Sequence, residues 1–167
     1  MRLFFSLALF SLLLFPMAML AQTHDSISSS STCATSQVHQ TVSINDGRQH
    51  SLSLDQRQCT WNTPVSIAGL SGAAYTSYGV DDVQGNRARD RGYAVGIMEN
   101  GDKYFLRYVG GSIMNGNIPV RLNGTWTFTG GTGRLRHLQG KGTYRAQPTA
   151  SGEMKFIIEG NYTISTQ

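Results

Sequence analysis

Gly124, Gly142 and Gly160 stand eighteen residues apart, and each is followed two positions later by an aromatic residue: Trp126, Tyr144 and Tyr162. Such a repeat reads as consecutive strands of an all-β barrel, where glycines at recurrent strand positions permit strong local bending. The same glycines argue against long helices, each costing about 1 kcal/mol relative to alanine in a helix interior.

Strand periodicity extends well beyond the repeat. Tyr93 to Met98 and Lys103 to Val109 flank Glu99-Asn100-Gly101-Asp102, which predicts a β-hairpin on an Asn-Gly type I′ turn. That turn pairs Ile97 with Tyr104, Val95 with Leu106 and Tyr93 with Tyr108, placing all six on one apolar face. Ala94, Gly96, Met98, Lys103, Phe105 and Arg107 then form the outer face. Met154, Phe156, Ile158, Tyr162 and Ile164 alternate with mostly polar residues, and Trp126 and Phe128 alternate with Thr125, Thr127 and Thr129. These are strands with one wet side. Gly140 to Ala146 is a further strand, and Val38 to Ile44, Gln49 to Leu54 and Thr63 to Leu70 are weaker candidates. Seven or eight short antiparallel strands indicate a sandwich or a barrel, and the glycines favour an up-and-down barrel of about eight strands.

The amino terminus is a separate object. Arg2 precedes an apolar stretch from Leu3 to Leu20, and Ala21 is a small residue at the expected cleavage point. Residues 1–21 read as a secretory signal peptide, with an uncleaved membrane anchor as the alternative. Cleavage predicts a secreted or periplasmic protein with no further membrane attachment. Residues 22–35 include the Ser/Thr-rich run Ser26 to Ser31, which has little apolar surface to offset its ordering entropy and is expected to be a flexible linker. The barrel domain is then 36–167. Export makes a structural disulfide the expected state of Cys33 and Cys59, the chain's two cysteines.

Composition narrows the chemistry. The 14 Lys and Arg against 10 Asp and Glu are spread along the chain, without the dense basic face of a nucleic-acid binder. His24, His39, His50 and His137 lack metal-ligand spacing, so neither a metal nor another cofactor is expected. No Gly-x-Ser-x-Gly elbow is present, and Gly130-Gly131-Thr132-Gly133 lacks the Lys-Ser/Thr of a phosphate loop. Catalytic residues are not identifiable.

Gly130-Gly131-Thr132-Gly133-Arg134-Leu135, followed by Gly140-Lys141-Gly142, resembles the Gly-Gly-Thr-Gly-x-Phe…Gly segment of the allene oxide cyclase and dirigent proteins. The match covers about twenty residues. It implies a calycin-like, lipocalin-shaped barrel of eight antiparallel strands, often trimeric, so a homo-oligomer is left open. The stretch from Glu99 to Ile164 also resembles small exported bacterial proteins of unassigned function. None of the cyclase family's catalytic residues matches a position in this chain, so the resemblance implies the fold and leaves cyclase or isomerase activity as an analogy.

Two features are candidates for a site. Tyr93, Tyr104, Tyr108 and Trp126 would give a lumen an apolar lining with polar tips, suited to a small apolar or amphipathic ligand. Asp81 to Arg91, the most charged stretch, reads as a loop that brings Arg89 and Arg91 to the barrel mouth beside Tyr93 and Tyr108, where they would meet an acidic or polar head. The sequence leaves open whether the interior is a pocket or a core filled by these side chains, as in a structural or surface-interaction protein.

Overall fold

The computed structural model describes residues 22–116 and 118–165; the expected signal peptide lies outside the described residues. Nine antiparallel strands account for most of that chain: β1 Gln22–Cys33, β2 Val38–Ser43, β3 His50–Ile67, β4 Leu70–Gln84, β5 Arg87–Met98, β6 Lys103–Asn115, β7 Ile118–Gly131, β8 Gln139–Pro148 and β9 Met154–Ser165. β3 through β9 pair in sequence order, β9 pairs with β1, and β1 closes the circle against β3 through Ser31↔Trp61, Thr32↔Thr60 and Cys33↔Cys59. The result is an eight-stranded up-and-down barrel with one additional strand, β2, which pairs with β3 alone. Closure through β1 removes free edges around the lower barrel, while β2 keeps one unpaired edge.

The segment expected to be a flexible linker is instead the strand that closes the barrel. Its backbone is paired along its whole length, from Gln22↔Ser165 to Cys33↔Met154. Those ladder bonds satisfy the backbone and offset the ordering cost that composition alone cannot. Ile27 and Ser31 point inward and are buried. The small serine leaves room for Tyr75, whose hydroxyl sits 2.7 Å from Ser31 Oγ. Cys33 and Cys59 are joined by a disulfide at this seam.

A second correction concerns the β5–β6 register. Gly96, not Ile97, lies opposite Tyr104, Ala94 opposite Leu106 and Gly92 opposite Tyr108. The connection is a three-residue loop: Met98 N–H donates to Asp102 O at 2.8 Å, and Gly101 adopts φ +86°. Asn100 does not enter the left-handed region that a type I′ turn requires. Its Oδ1 instead accepts from Asp102 N–H at 3.0 Å. One residue of slip turns every side chain of β5 to the opposite face. Tyr93 and Ile97 are therefore 65% and 55% exposed on the outside, whereas Ala94 and Met98 are buried inside.

The glycine repeat now has a packing reason. The Tyr144 ring lies against Gly124, where a Cβ would come within 2.6 Å of it, and Trp126 lies against Gly142 and Gly160 in the same way. Aromatic rings pressed flat on glycine fill the wall of a tightly curved barrel while leaving its centre free. Trp126, Phe128, Tyr144, Phe156, Ile158 and Tyr162 all join one interior cluster, as their alternation predicts.

The floor is closed by the Gly-Gly-Thr-Gly segment. It ends β7 and forms a 3-10 turn, Gly133–Leu135, that pushes Leu135 and Leu138 into full burial. Burying each side chain of that size contributes roughly 1.5–3 kcal/mol. The turn is tied to its neighbours: Arg134 N–H donates to Asp102 Oδ2 at 3.0 Å, and the Arg134 guanidinium reaches Ala68 O at 3.1 Å. The opposite end is less complete. β8 joins β7 only from Leu122 onward, and β2 has a partner on one side only, so the wall is open between them.

Candidate functional site in the barrel lumen

A cavity of about 360 Å³ runs up the barrel from Ile67 and Phe128 toward Ser51 and Met114. This volume falls within the range of small-molecule sites. Its lower half is apolar, with Trp61, Val65, Ile67, Trp126 and Phe128 on the wall. Its upper half carries a polar belt built from the inward positions of β3, β4 and β5: Asp55, Arg57, Ser77, Asp81 and Asp90, with Tyr108 and Tyr144 reaching in from β6 and β8.

The belt follows from alternation. Asp81 to Arg91 is not a loop but a hairpin turning at Gly85-Asn86, with Gly85 at φ +60°. Asp81 and Asp90 are direct cross-strand partners. Both face the lumen, while Arg87, Arg89 and Arg91, on the alternate positions, are exposed outside. Direct partners on one face hold their Cβ atoms about 4.5–5.5 Å apart, and like charges so placed repel. Asp55 enters from β3, two positions beyond the residue paired with Asp81. A Cβ at Gly79 would come within 2.9 Å of both Asp55 Oδ2 and the Tyr108 hydroxyl, so that glycine makes the space in which they meet.

Compensation is unequal. Arg57 Nε pairs with Asp55 Oδ1 at 3.1 Å. Asp81 and Asp90 have no cationic partner among the described residues. Burial, followed by the neighbouring Asp55 and Asp90 charges, pushes the Asp81 carboxyl up to about 7. Burial also raises Asp90, although the Tyr144 hydroxyl donates to its Oδ2 and opposes that shift. Asp90 is 8% exposed, and its second oxygen is buried without a hydrogen-bond partner among the described residues. Buried unpaired carboxylate oxygens are expensive. Burial raises the phenols too, Tyr75 to about 12, and with them Tyr108 and Tyr144, so all three stay protonated donors at neutral pH. Ser77 Oγ lies 3.2 Å from the Tyr108 hydroxyl.

Of the residues singled out from sequence, Tyr104, Tyr108 and Trp126 line this cavity. Tyr93, Arg89 and Arg91 do not, because the one-residue register change carries them to the outer wall. Asp55, Arg57, Asp81 and Asp90 are what the sequence reading missed as a group. A usable signal existed in β5. Asp90, Gly92, Ala94 and Gly96 are spaced by two, and a face of small residues is the one that bulky neighbours such as Tyr104 and Tyr108 can cover. Among the described residues, no group of three or more His, Cys, Asp or Glu side chains is arranged to hold a metal ion.

Fold and cavity together define the class: a closed antiparallel barrel whose polar chemistry is gathered on its inner wall. No protein-family model matches the chain, and no curated protein matches it in sequence.

Proposed function

We propose that this is an exported barrel that binds a small amphipathic molecule in its lumen. The observation that carries the reading is the cavity of about 360 Å³, which passes from an apolar floor to a polar belt. The two ends of such a ligand would be desolvated by different parts of one continuous wall. A vacant volume of this size favours a ligand over a filled, purely structural barrel. The Cys33–Cys59 disulfide accords with an oxidising destination.

Trp61 and Trp126 both line the cavity, so occupancy is readable as a change in intrinsic fluorescence. Titration with ten-carbon chains bearing different head groups should give a saturable change with at least one. Phe128→Trp, which fills the floor, should abolish it. A flat response with every probe would remove the binding reading.

A second reading, an acid–base enzyme of the isomerase or cyclase kind, is favoured by one observation. The Asp81 carboxyl stands near 7 beside Asp90, poised to give or take a proton at neutral pH. It requires chemical change of the bound molecule. Nuclear magnetic resonance spectra of a ligand recovered intact after long incubation would rule that reading out for that ligand and leave binding.

A further inference from the structure

We infer that the polar belt is a receptor for an organic ammonium group, so that the ligand class is an amphipathic amine with its apolar part in the floor and its cationic head between Asp81 and Asp90. The inference rests on the lumenal-binding reading and names the head group that reading leaves open.

Three observations converge. The first is charge: the cavity wall carries Asp55, Asp81 and Asp90 against the single guanidinium of Arg57, which is already paired with Asp55. The second is the unsatisfied Asp90 oxygen, buried where a donor is needed. The third is the company these carboxylates keep. Tyr108 and Tyr144 pack edge to face with centroids 6.1 Å apart, and both line the same part of the cavity. Aromatic faces next to carboxylates are the usual surroundings of a bound alkylammonium. An ammonium has three donors and no acceptor, matching a belt that offers carboxylate oxygens and hydroxyls. A carboxylate head would instead be repelled. The arginines that the sequence appeared to place at the mouth lie outside and cannot reverse that sign.

The groups facing Asp81 and Asp90 are Asp55 and Arg57 from β3, Ser77 from β4, Tyr108 from β6 and Tyr144 from β8, with His39 of β2 farther along the wall. A cation seated among them lowers the Asp81 carboxyl from its elevated position, so binding expels part of a proton near pH 7. Affinity accordingly rises with pH through this range, until the amine itself loses its proton.

Decylamine, decanol and decanoate, which share one tail, form the test, with calorimetry at pH 7 in two buffers of different ionisation enthalpy. Decylamine should bind at least about tenfold more tightly than either of the others and release a fraction of a proton. Asp81→Asn and Asp90→Asn should each lower the ratio of decylamine to decanol affinity about tenfold. Equal affinity for amine and alcohol, or a preference for decanoate, overturns the ammonium assignment and leaves lumenal binding standing. Failure of all three to bind removes both. Asp81→Asn is isosteric and relieves charge repulsion, so it provides a folded variant should Asp90→Asn disturb the Tyr144 contact.

Discussion

The two halves of this barrel solve opposite problems. The floor is a packed core: Leu135, Leu138, Tyr104 and Tyr162 are almost wholly buried, and the turns around Asp102, Arg134 and Ala68 are joined by hydrogen bonds. The upper half places three carboxylates on the inner wall, leaves two without cationic partners and ends in an incomplete rim. The floor is mostly what folding alone would select, although Trp61 Nε1, Trp126 Nε1 and the Tyr104 hydroxyl are buried there without hydrogen-bond partners among the described residues. The belt runs against folding, because buried like charges destabilise the chain that carries them. Locally unfavourable groups held in place by a stable frame are a mark of function, and here frame and burden belong to different ends of the same strands.

The largest expected effect tests the frame. Trp126→Ala removes a side chain pressed between Gly142 and Gly160 and should cost about 3–5 kcal/mol in urea unfolding. A loss below about 1 kcal/mol would mean the floor does not hold the barrel together.

The next tests the burden. Asp81 titrates higher in the fold than in the unfolded chain, about 7 against roughly 3.9. The native state therefore binds more protons between those values, and stability falls as pH rises from about 4 to about 7, by as much as about 4 kcal/mol, then levels off. Asp81→Asn should flatten that slope and stabilise the protein at pH 8. An unchanged slope would show that Asp81 is hydrated and that the belt carries little strain.

The seam between the halves comes third. Replacing Cys33 and Cys59 together by serine opens a crosslink spanning 26 residues and should cost about 3 kcal/mol, measured against the oxidised parent. No difference would mean that backbone pairing alone closes β1 onto β3.

The smallest effect is expected on the outer wall, where Tyr93→Ser should change stability by no more than about 0.5 kcal/mol. Tyr93 is 65% exposed. A larger loss in a concentration-dependent unfolding transition would show that another copy of the chain covers this face.

Strand existence was readable where the pattern was local. Phe156, Ile158, Tyr162 and Ile164 alternate strictly, and their inward direction follows from that alone. β1 was not readable, because a serine run has no apolar stripe, and its order comes from ladder bonds to β9, more than a hundred residues away. The β5–β6 hairpin was readable as a hairpin but not in register. Asn-Gly is compatible with two loop lengths, and the side-chain bond from Asn100 to Asp102 is consistent with the longer one.

What the sequence determined by itself is therefore the kind of wall: antiparallel strands, glycines where aromatic rings lie flat, and two cysteines for a crosslink. Tertiary structure decided which side of that wall is the inside, and with it the character of the site. In β5 both faces carry apolar residues, so alternation there does not say which is the inside. The inside is set by closure, which turns small residues such as Gly92 and Ala94 inward beneath the large side chains of β6 and carries Asp90 in with them. The elevated proton affinity of Asp81 follows from the same event, because closure removes the water from a face on which strand pairing already sets Asp55 and Asp90 beside it.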